Sequence, residues 1–300
     1  MALSPVVTPR IAVSVVTMGT RPREVEALLA SVAKQDVAPV RTVIVGNGTS
    51  LPPYGEGMPG AVTVIETEEN LGCPGGRNIA IQRLREFGDV DVVVELDDDG
   101  MLVQDDVLRR IQELYAADPR LGIVGFRIVD EDGGTAQRHV PRLGGADPAR
   151  RGLVTGFLGG GHAFSLRMLD EIGDWPSDFF FTHEETDLAW RAIDAGWKVL
   201  YEPSLLLQHP RTSPARHAVY YRFTARNRVW LARRRLPAAL IPVHLGIWTA
   251  ITLVRTRSLG GLRAWAGGFA EGLRTPCGER RPMRWRTVWR LTRLGRPPVI

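Results

Sequence analysis

Apolar β-branched runs alternate with amphipathic segments along the first third of the chain, and this alternation restricts the fold more than any other feature. Continuous apolar runs occur at residues 11–18, 40–48, 60–69 and 91–99, as is typical of strands buried on both faces. Residues 21–35 have helical spacing of their apolar side chains, and glycines open a second helical segment at 75–88. This order predicts an α/β fold with a mostly parallel sheet and flanking helices.

Polar side chains stand where several of these predicted strands end. Thr17 ends the first strand, Asn47 lies at the end of the second, and Asp97, Asp98 and Asp99 end the fourth. In open α/β sheets, ligands bind beyond the carboxyl ends of the strands. Adjacent carboxylates repel one another unless a divalent cation such as Mg²⁺ or Mn²⁺, which prefer oxygen ligands, neutralises them. The residues alone leave two interpretations open, a metal site and a solvated acidic turn.

Two further motifs occur in the second half of the chain. The sequence HEETD, at residues 183–187, leads into a predicted helix over 186–195. Acidic residues at a helix start interact favourably with the helix dipole, so on that ground alone Glu184 and Glu185 are ordinary capping charges. Three consecutive glycines at 159–161 either allow the backbone to approach a ligand closely or form a flexible loop.

The charge of the chain is divided unevenly. Residues 1–210 contain 19 Lys and Arg against 31 Asp and Glu, whereas residues 211–300 contain 19 Arg and only two Glu. We therefore expect an acidic body at 1–215 and a basic, aromatic-rich, α-helical region at 216–300. The pI of about 9.7 suggests an anionic partner, and because no nucleic-acid-binding motif is recognised we expect no nucleic acid.

The basic region has the composition of helices that lie on membranes. Residues 236–254 are uncharged and just long enough for a spanning helix, but two prolines and a glycine interrupt them. Residues 255–300 mix Trp, Leu and Arg, as interfacial helices do. We therefore favour helices on an anionic membrane surface over a membrane-spanning helix. A basic extension that packs on the acidic body is the alternative.

The cysteine content indicates the compartment. Only Cys73 and Cys277 occur, far apart in the chain, which fits a reducing compartment and no disulfide framework. Together with the predicted surface helices, this leads us to expect a cytoplasmic protein that is peripheral on the inner face of the cell membrane.

Seven motifs follow one another along residues 10–235. They are VSVVTMGTRP, VIVGNGTS, NLGCPGGRNIAI, ELDDDG, GGGHAF, HEETDLAWRA and LLQHPRTS. In this order they resemble the family-2 glycosyltransferases, in their bacterial branch similar to rhamnosyl- and galactofuranosyl-transferases. The resemblance implies a GT-A fold, which is a Rossmann-like, mostly parallel sheet with flanking helices. It also implies a nucleotide-diphosphate sugar as donor and a divalent metal, Mn²⁺ or Mg²⁺, as cofactor.

The resemblance implies roles for the residues of a donor site. ELDDDG resembles the Asp-x-Asp element of the family, so Asp99 and Asp97 would bind the metal, and His209 matches a histidine that completes the metal shell. The residues expected to bind the nucleotide sugar are Thr17, Asn47, Arg77, Asp97 and Asp98. Gly46 and Asn47 stand where the family usually has Asp-Asn, so the resemblance leaves the nucleotide base open.

HEETDL resembles the Glu-Asp-x-Asp-Leu motif of the family, whose second acidic residue is the base in inverting enzymes. Glu185 stands at that position in place of Asp, so Glu185 is the expected base, with Glu184 as the alternative. Asp187 would orient the acceptor pocket or brace Arg191. The residues expected at the acceptor are Gly160, Gly161 and Trp175, although core packing explains Trp175 equally well.

These expectations combine into one leading hypothesis, a metal-dependent, inverting glycosyltransferase that acts on a lipid-linked or cell-envelope glycan. Such a reaction needs a neutralised diphosphate, a base for the acceptor hydroxyl and in-line alignment of the two. A soluble enzyme of the same fold that glycosylates a secondary metabolite is the first alternative. A non-catalytic module that binds nucleotides or sugars is the second.

Overall fold

A computed structural model describes residues 8–144, 147–211 and 218–300, in which nine strands form one mixed sheet with helices on both faces. The strands are β1 (Ile11–Thr17), β2 (Arg41–Gly46), β3 (Ala61–Glu66), β4 (Val92–Asp97), β5 (Met101–Leu102), β6 (Leu121–Val129), β7 (Gly152–Leu153), β8 (Gly161–Ser165) and β9 (Lys198–Gln208). Their order is β3-β2-β1-β4-β8-β6-β9-β5, and β7 pairs with β9. The predicted α/β fold class is confirmed.

The first four strands form the parallel half of the sheet. β1 pairs in parallel with both β2 and β4, and β2 pairs in parallel with β3. The register aligns Thr17 with Gly46 and Val16 with Asp97, so β1, β2 and β4 end at one edge. β8 is antiparallel to β4 and places Gly161 opposite Leu96 at the same edge. The polar residues that end or follow these strands therefore meet there.

Nine α-helices occur in the part of the chain that the structure describes. They are α1 (Pro22–Ala33), α2 (Gly72–Phe87), α3 (Val107–Ala117), α4 (Leu166–Ile172), α5 (Glu184–Asp194), α6 (Ala218–Arg235), α7 (Leu240–Arg255), α8 (Leu259–Arg274) and α9 (Trp285–Arg293). α2 begins three residues earlier than predicted. Gly72 has φ of +74°, and a Cβ there would lie 2.4 Å from the carbonyl oxygen of Phe180, so a glycine is required at this start. α5 begins at Glu184, so both glutamates lie in its first turn.

Buried apolar side chains form one large cluster on each face of the sheet. Alternate residues of β1 point to opposite faces, so Val13 packs towards α1 and α3 while Ala12 packs towards α2 and α5. The cluster around Ala12 also contains Trp230 of α6 and Leu291 of α9. The predicted boundary between residues 215 and 216 lies outside the described residues, but residues on both sides of it share this cluster.

The C-terminal region is helical, as predicted. α6 lies along α8 because Gly268 and Gly272 of α8 have no side chain, and a Cβ at Gly268 would lie 2.1 Å from the carbonyl oxygen of Arg222. No described helix combines the length and the apolar composition that a bilayer crossing requires. α7 has 16 residues and is therefore about 24 Å long, whereas the hydrocarbon core is about 30 Å thick.

Candidate active site

The carboxyl ends of β1, β2 and β4 border a cavity of about 390 Å³, which we call the donor cavity. Its lining includes all five residues that the sequence suggested for a nucleotide sugar, Thr17, Asn47, Arg77, Asp97 and Asp98. Phe180 and Phe223 add an apolar wall, and their rings stack with centroids 5.4 Å apart. The cavity therefore combines carboxylates, a guanidinium and aromatic surface, as a site for a polar ligand with a flat base requires.

Three side chains at one end of this cavity form a group suited to a metal ion. One ligand atom each from Asp97, Asp99 and His209 lies within 4.8 Å of the others. His209 Nε2 is 3.0 Å from Asp99 Oδ1 and 3.8 Å from Asp97 Oδ2. Two carboxylates and an imidazole suit Mn²⁺. The two carboxylates also suit Mg²⁺, which prefers oxygen ligands to nitrogen. The residues therefore fit the divalent cation that the sequence suggested.

In the absence of a metal, a proton on His209 supplies positive charge next to the two carboxylates. Burial lowers the pKa of His209, but its hydrogen bond to Asp99 and the charges of Asp99 and Asp97 together outweigh burial and raise the pKa to about 9. Burial likewise favours the neutral form of Asp99, yet His209 and Arg21 hold the pKa of that carboxyl below its usual value. Without a metal, His209 is thus a cation at neutral pH. A bound metal requires the neutral imidazole and would take the place of this proton.

Asp98 faces away from the metal group. Its Oδ2 accepts a hydrogen bond of 2.7 Å from Thr17 Oγ1, and Arg21 Nη1 lies 3.4 Å from its Oδ1. Burial raises the pKa of Asp98, although the bond from Thr17 opposes this effect. Asp98 and Thr17 therefore tie the ends of β4 and β1 together, whereas Asp97 and Asp99 point to the cation position.

Asn47 holds the loop that leads into α2. Its Nδ2 donates to Asn70 Oδ1 and to the carbonyl oxygen of Gly72, each at 3.0 Å, and its Oδ1 accepts from the backbone N–H of Leu71 at 2.8 Å. The preceding Gly46 has no room for a side chain, because a Cβ would lie 2.5 Å from the carbonyl oxygen of Thr49. The departure from Asp-Asn thus has a steric basis in this chain.

Arg77 connects the donor cavity to the core beneath it. Its Nη2 donates to the carbonyl oxygen of Gly159 at 2.9 Å and lies 3.6 Å from Asp97 Oδ1. Its Nε lies 3.3 Å from Glu95 Oε2, and its guanidinium stands 4.7 Å from the ring centroid of Trp175. The side chain is 5% exposed. Arg77 is therefore a fixed positive charge at the floor of the cavity.

Trp175 and Gly161 lie in the core, away from open space. Trp175 is 3% exposed, and its ring contacts His162 and Phe164 edge-on. A Cβ at Gly161 would lie 2.8 Å from Leu207, so this glycine makes room for the side chain of Leu207, which reaches over from β9. Of the three residues suggested for the acceptor, only Gly160 borders the site, where a Cβ would lie 3.3 Å from Asp97 Oδ2.

The acidic pair Glu184 and Glu185 lies next to the glycine loop. A Cβ at Gly159 would lie 2.4 Å from Glu185 Oε1, so this carboxylate rests on the backbone next to Gly160 and Asp97. Glu184 is 2% exposed, and its Oε2 has no hydrogen-bond partner among the described residues. Burial, and then the charge of Glu185, raises the pKa of Glu184 to about 8. Burial also raises the pKa of Glu185, although Arg77 opposes it.

A strained loop precedes this pair. Phe180, Thr182 and His183 have φ of +64°, +71° and +68°, values that non-glycine residues adopt only when their surroundings enforce them. Asn227 of α6 supplies that restraint, because its buried Nδ2 donates to the carbonyl oxygens of Phe179, Phe181 and Thr182 at 2.9, 2.7 and 2.9 Å. Sequence reasoning did not identify Asn227, since no periodic pattern marks a bond between residues 45 positions apart.

Asp187 also connects to α6. It is fully buried and accepts hydrogen bonds from Arg191 Nε at 2.7 Å and from Arg235 Nε at 2.6 Å. Burial raises the pKa of Asp187, but these two guanidiniums outweigh burial and the pKa lies below its usual value. The contact with Arg191 is the one that the sequence suggested. Asp187 therefore fixes α5 to the C-terminal region and does not face the donor cavity.

The chain is similar to known proteins both in sequence family and in fold. The model of glycosyl transferase family 2 matches residues 15–173. No curated protein sequence matches the chain. Among solved structures, the chain is similar to a mannosyltransferase, PcManGT from Pyrobaculum calidifontis, in complex with GDP-Man and Mn²⁺, with a TM-score of 0.55 and 19% identity over 98% of this chain and 86% of that chain.

Two other structures extend the comparison. S. aureus TarS 1-349 in complex with UDP-GlcNAc has a TM-score of 0.59 and 14% identity over 88% of this chain and 80% of that chain. GalNAc-T7 with UDP, GalNAc and Mn²⁺ has a TM-score of 0.61 and 13% identity over 88% of this chain, which spans 55% of that relative. At these identities the structures show a shared fold. Since the family match covers more than half of the sequence, the chain belongs to glycosyl transferase family 2 and has the GT-A fold.

Proposed function

We propose that the protein transfers a sugar from a nucleotide-diphosphate sugar to a hydroxyl group of the acceptor, with inversion at the anomeric carbon. The observation that carries the proposal is that two carboxylate groups lie beside adjacent glycines of one loop. Asp97, of the metal group, faces Gly160, and Glu185 faces Gly159. A diphosphate held at Asp97 and an acceptor hydroxyl beside Glu185 would therefore meet next to these two glycines, and inversion requires that they approach the anomeric carbon from opposite sides.

The donor end of the site would hold the diphosphate by charge. Asp97, Asp99 and His209 would hold a divalent cation, whose positive charge would neutralise the diphosphate as it departs. Arg77 adds a fixed positive charge beside Asp97. Thr17 and Asp98, with Phe180 and Phe223, form the wall against which the nucleoside would lie. Donors with GDP and UDP occur in the similar structures, which supports a nucleotide-diphosphate donor here.

Glu185 would remove the proton from the acceptor hydroxyl. It is the more accessible carboxylate of the pair, whereas Glu184 is buried and holds its proton up to about pH 8. A single base opposite the leaving group produces one displacement, and hence inversion. The motif resemblance to rhamnosyl- and galactofuranosyl-transferases suggests a hexosyl or deoxyhexosyl group, and a lipid-linked or cell-envelope glycan as acceptor.

Donor binding can be tested by a thermal-shift panel on the full chain. UDP, dTDP, GDP and CDP sugars are each added with and without Mn²⁺, because a ligand that binds only the native state raises the melting temperature by mass action. We expect one nucleotide class to raise it, and only with Mn²⁺. If that donor binds but no acceptor is ever glycosylated, the chain is a binding module. If no donor binds to the folded protein, the proposed function is wrong.

Asn227→Ala is expected to lower kcat at least about tenfold, because it frees the loop before Glu185. The KM for the donor should rise as well, because Phe180 and Phe181 of that loop line the donor cavity. The unsatisfied carbonyl oxygens should also cost about 1–3 kcal/mol of stability. Gln35→Ala is the matched control, since buried Gln35 also makes three hydrogen bonds to backbone, far from the site. A parallel loss of stability with unchanged kcat in both variants would assign Asn227 to stability alone.

We further propose that the C-terminal helices attach the protein to the cytoplasmic face of an anionic membrane. Trp285 and Trp289, one helical turn apart on α9, are 52% and 62% exposed. Arginines of the same helix flank Trp289. Aromatic side chains enter the membrane interface. Arginines bind anionic headgroups, and each arginine contributes about 1 kcal/mol.

Replacement of both tryptophans by alanine is therefore expected to weaken binding to phosphatidylglycerol vesicles about tenfold or more, as measured by flotation. Val103→Ala is the control, because Val103 is an exposed apolar residue of the body, 46% accessible. If wild type and the double variant both fail to bind, the protein acts away from membranes, and a soluble acceptor such as a secondary metabolite becomes the better candidate.

A further inference from the structure

A second polar cavity lies next to the strained loop, between α5, α6, α7 and the C-terminal segment. We call it the α5–α6 cavity. Its volume is about 50 Å³, and its lining includes Thr155, His183, Arg228, His244, Trp248 and Arg296. It shares no lining residue with the donor cavity. The family match, which ends at residue 173, does not include most of these residues.

Several buried polar atoms in this lining lack a partner. Among the described residues, none forms a hydrogen bond with Thr155 Oγ1, His183 Nε2, His244 Nε2 or Trp248 Nε1. Thr155 and His244 are 3% and 2% exposed. Because an unpaired buried polar atom costs about as much as a lost hydrogen bond, four of them around one cavity indicate a ligand that pairs with them.

The charges around the cavity favour an anion. No Asp or Glu side chain lines it, and in the described part of the chain neither Arg228 nor Arg296 forms an ion pair, either with an acidic side chain or with the main-chain carboxylate of Ile300, which also lines the cavity. The remaining segments, residues 1–7, 145–146 and 212–217, contain no Asp or Glu. The guanidinium of Arg228 is held 3.6 Å from the ring centroid of Trp248. Two guanidiniums therefore face a common space without an ion-pair partner among the described residues.

The pKa values of the basic groups around the cavity reflect the same excess of positive charge. Burial, together with the charge of Arg296, lowers the pKa of Arg228 to about 9. Burial and the charge of Arg228 lower the pKa of His244 to about 4 and hold that of His183 below its usual value. Water alone could fill the cavity, which has room for more than one molecule, but water would not compensate the two guanidiniums.

We propose that the α5–α6 cavity binds a phosphate group through Arg228, Arg296 and Thr155. Guanidinium groups and a hydroxyl bind phosphate oxygens by charge-assisted hydrogen bonds. The inference rests on the proposed function, because His183 and Thr186 of this lining stand on either side of the acidic pair. A phosphate bound there lies beside the base, where a phosphorylated acceptor would be held. The bound phosphate group would thus belong either to a phosphorylated acceptor, such as a lipid, or to free phosphate, which has the same chemistry.

The site can be tested without turnover. The melting temperature of the full chain is measured in sodium phosphate and in sodium chloride of equal ionic strength. We expect phosphate to raise the melting temperature of the wild type, and Arg228→Gln and Arg296→Gln each to weaken phosphate binding about 10- to 100-fold. Thr155→Val, which keeps the shape of the side chain, should weaken it less. Arg263→Gln, at an exposed arginine of α8, should retain the wild-type response.

An absent response in the wild type would overturn the proposal, as would an equal response in all four variants. The donor-dependent thermal shift of the wild type is measured in parallel, so failure of this site and failure of the donor site are distinguished. In chloride, the two arginine variants should melt no lower than the wild type, because each removes a buried charge that has no ion-pair partner among the described residues. A lower melting temperature with an unchanged phosphate response would assign the arginines to packing.

Vesicle binding distinguishes the two sources of phosphate. Vesicles contain phosphatidic acid, which presents a phosphate monoester, or phosphatidylglycerol, whose phosphate is a diester. If the arginine variants lose binding only to phosphatidic acid, the cavity takes the phosphate of a lipid. If vesicle binding is unchanged while the response to inorganic phosphate is lost, the cavity takes free phosphate.

Discussion

Glu185→Gln is expected to lower kcat by about 10²- to 10⁴-fold, the usual contribution of a general base, while donor binding persists. An amide cannot accept the hydroxyl proton, but it keeps the shape of the side chain that rests on Gly159. Glu185 does not line the donor cavity, so the Mn²⁺-dependent thermal shift with donor should be unchanged. Release of the nucleoside diphosphate measures turnover. Loss of donor binding along with turnover would contradict the assigned role.

Glu184→Gln is the matched control for that substitution. Because Glu184 holds its proton up to about pH 8, an amide resembles it at neutral pH, and activity should stay within about tenfold of the wild type. In the unfolded chain the same group ionises near its ordinary pKa of 4.5. The wild type therefore loses stability as pH rises towards 8, whereas the variant lacks this loss. Inactivity of Glu184→Gln alone would transfer the base to Glu184.

Asp99→Asn is expected to remove the Mn²⁺-dependent part of donor binding and to lower turnover about 100-fold or more, since a metal contributes several kcal/mol to such a step. Asp99 contacts His209 and Arg21, and an amide keeps its shape but loses the charge that holds a cation. The measurement is the thermal shift with donor across a series of Mn²⁺ concentrations, followed by turnover in the same buffers.

Asp98→Asn is the neighbouring control. Asp98 bonds to Thr17 rather than to the metal group, so its variant should keep the Mn²⁺ dependence even if it melts at a lower temperature. The opposite result, in which Asp98→Asn loses the dependence and Asp99→Asn keeps it, would show that the cation binds elsewhere among the three aspartates.

The parallel half of the sheet could be predicted from sequence because its signals are local. An apolar run followed by a polar residue marks both a buried strand and its carboxyl end, so Thr17, Asn47 and Asp97 could be placed at one edge. The predicted starts of α2 and α5 were less accurate, because each depends on a distant contact. Gly72 turns where it does because the backbone of Phe180 lies against it.

Long-range contacts also explain why some residues of the site could not be predicted from local sequence patterns. Nothing in a local pattern places His209 beside Asp99, and only the family resemblance suggested that pair. Trp175 could be assigned equally to a sugar or to the core, and only the packing of His162 and Phe164 around it decides. The contacts of Asn227 and Arg235 with α5 and the loop before it join residues 45 to 48 positions apart and have no periodic signal.

The shared core of the body and the basic region limits how such enzymes can be recombined. The loop before Glu185 takes its conformation from Asn227, and α5 is fixed to α6 through Asp187 and Arg235. Exchanging residues 216–300 between relatives to alter their acceptor would therefore also exchange the support of the catalytic loop. A working chimera should keep α6 with its own body, together with α8, which lies along α6.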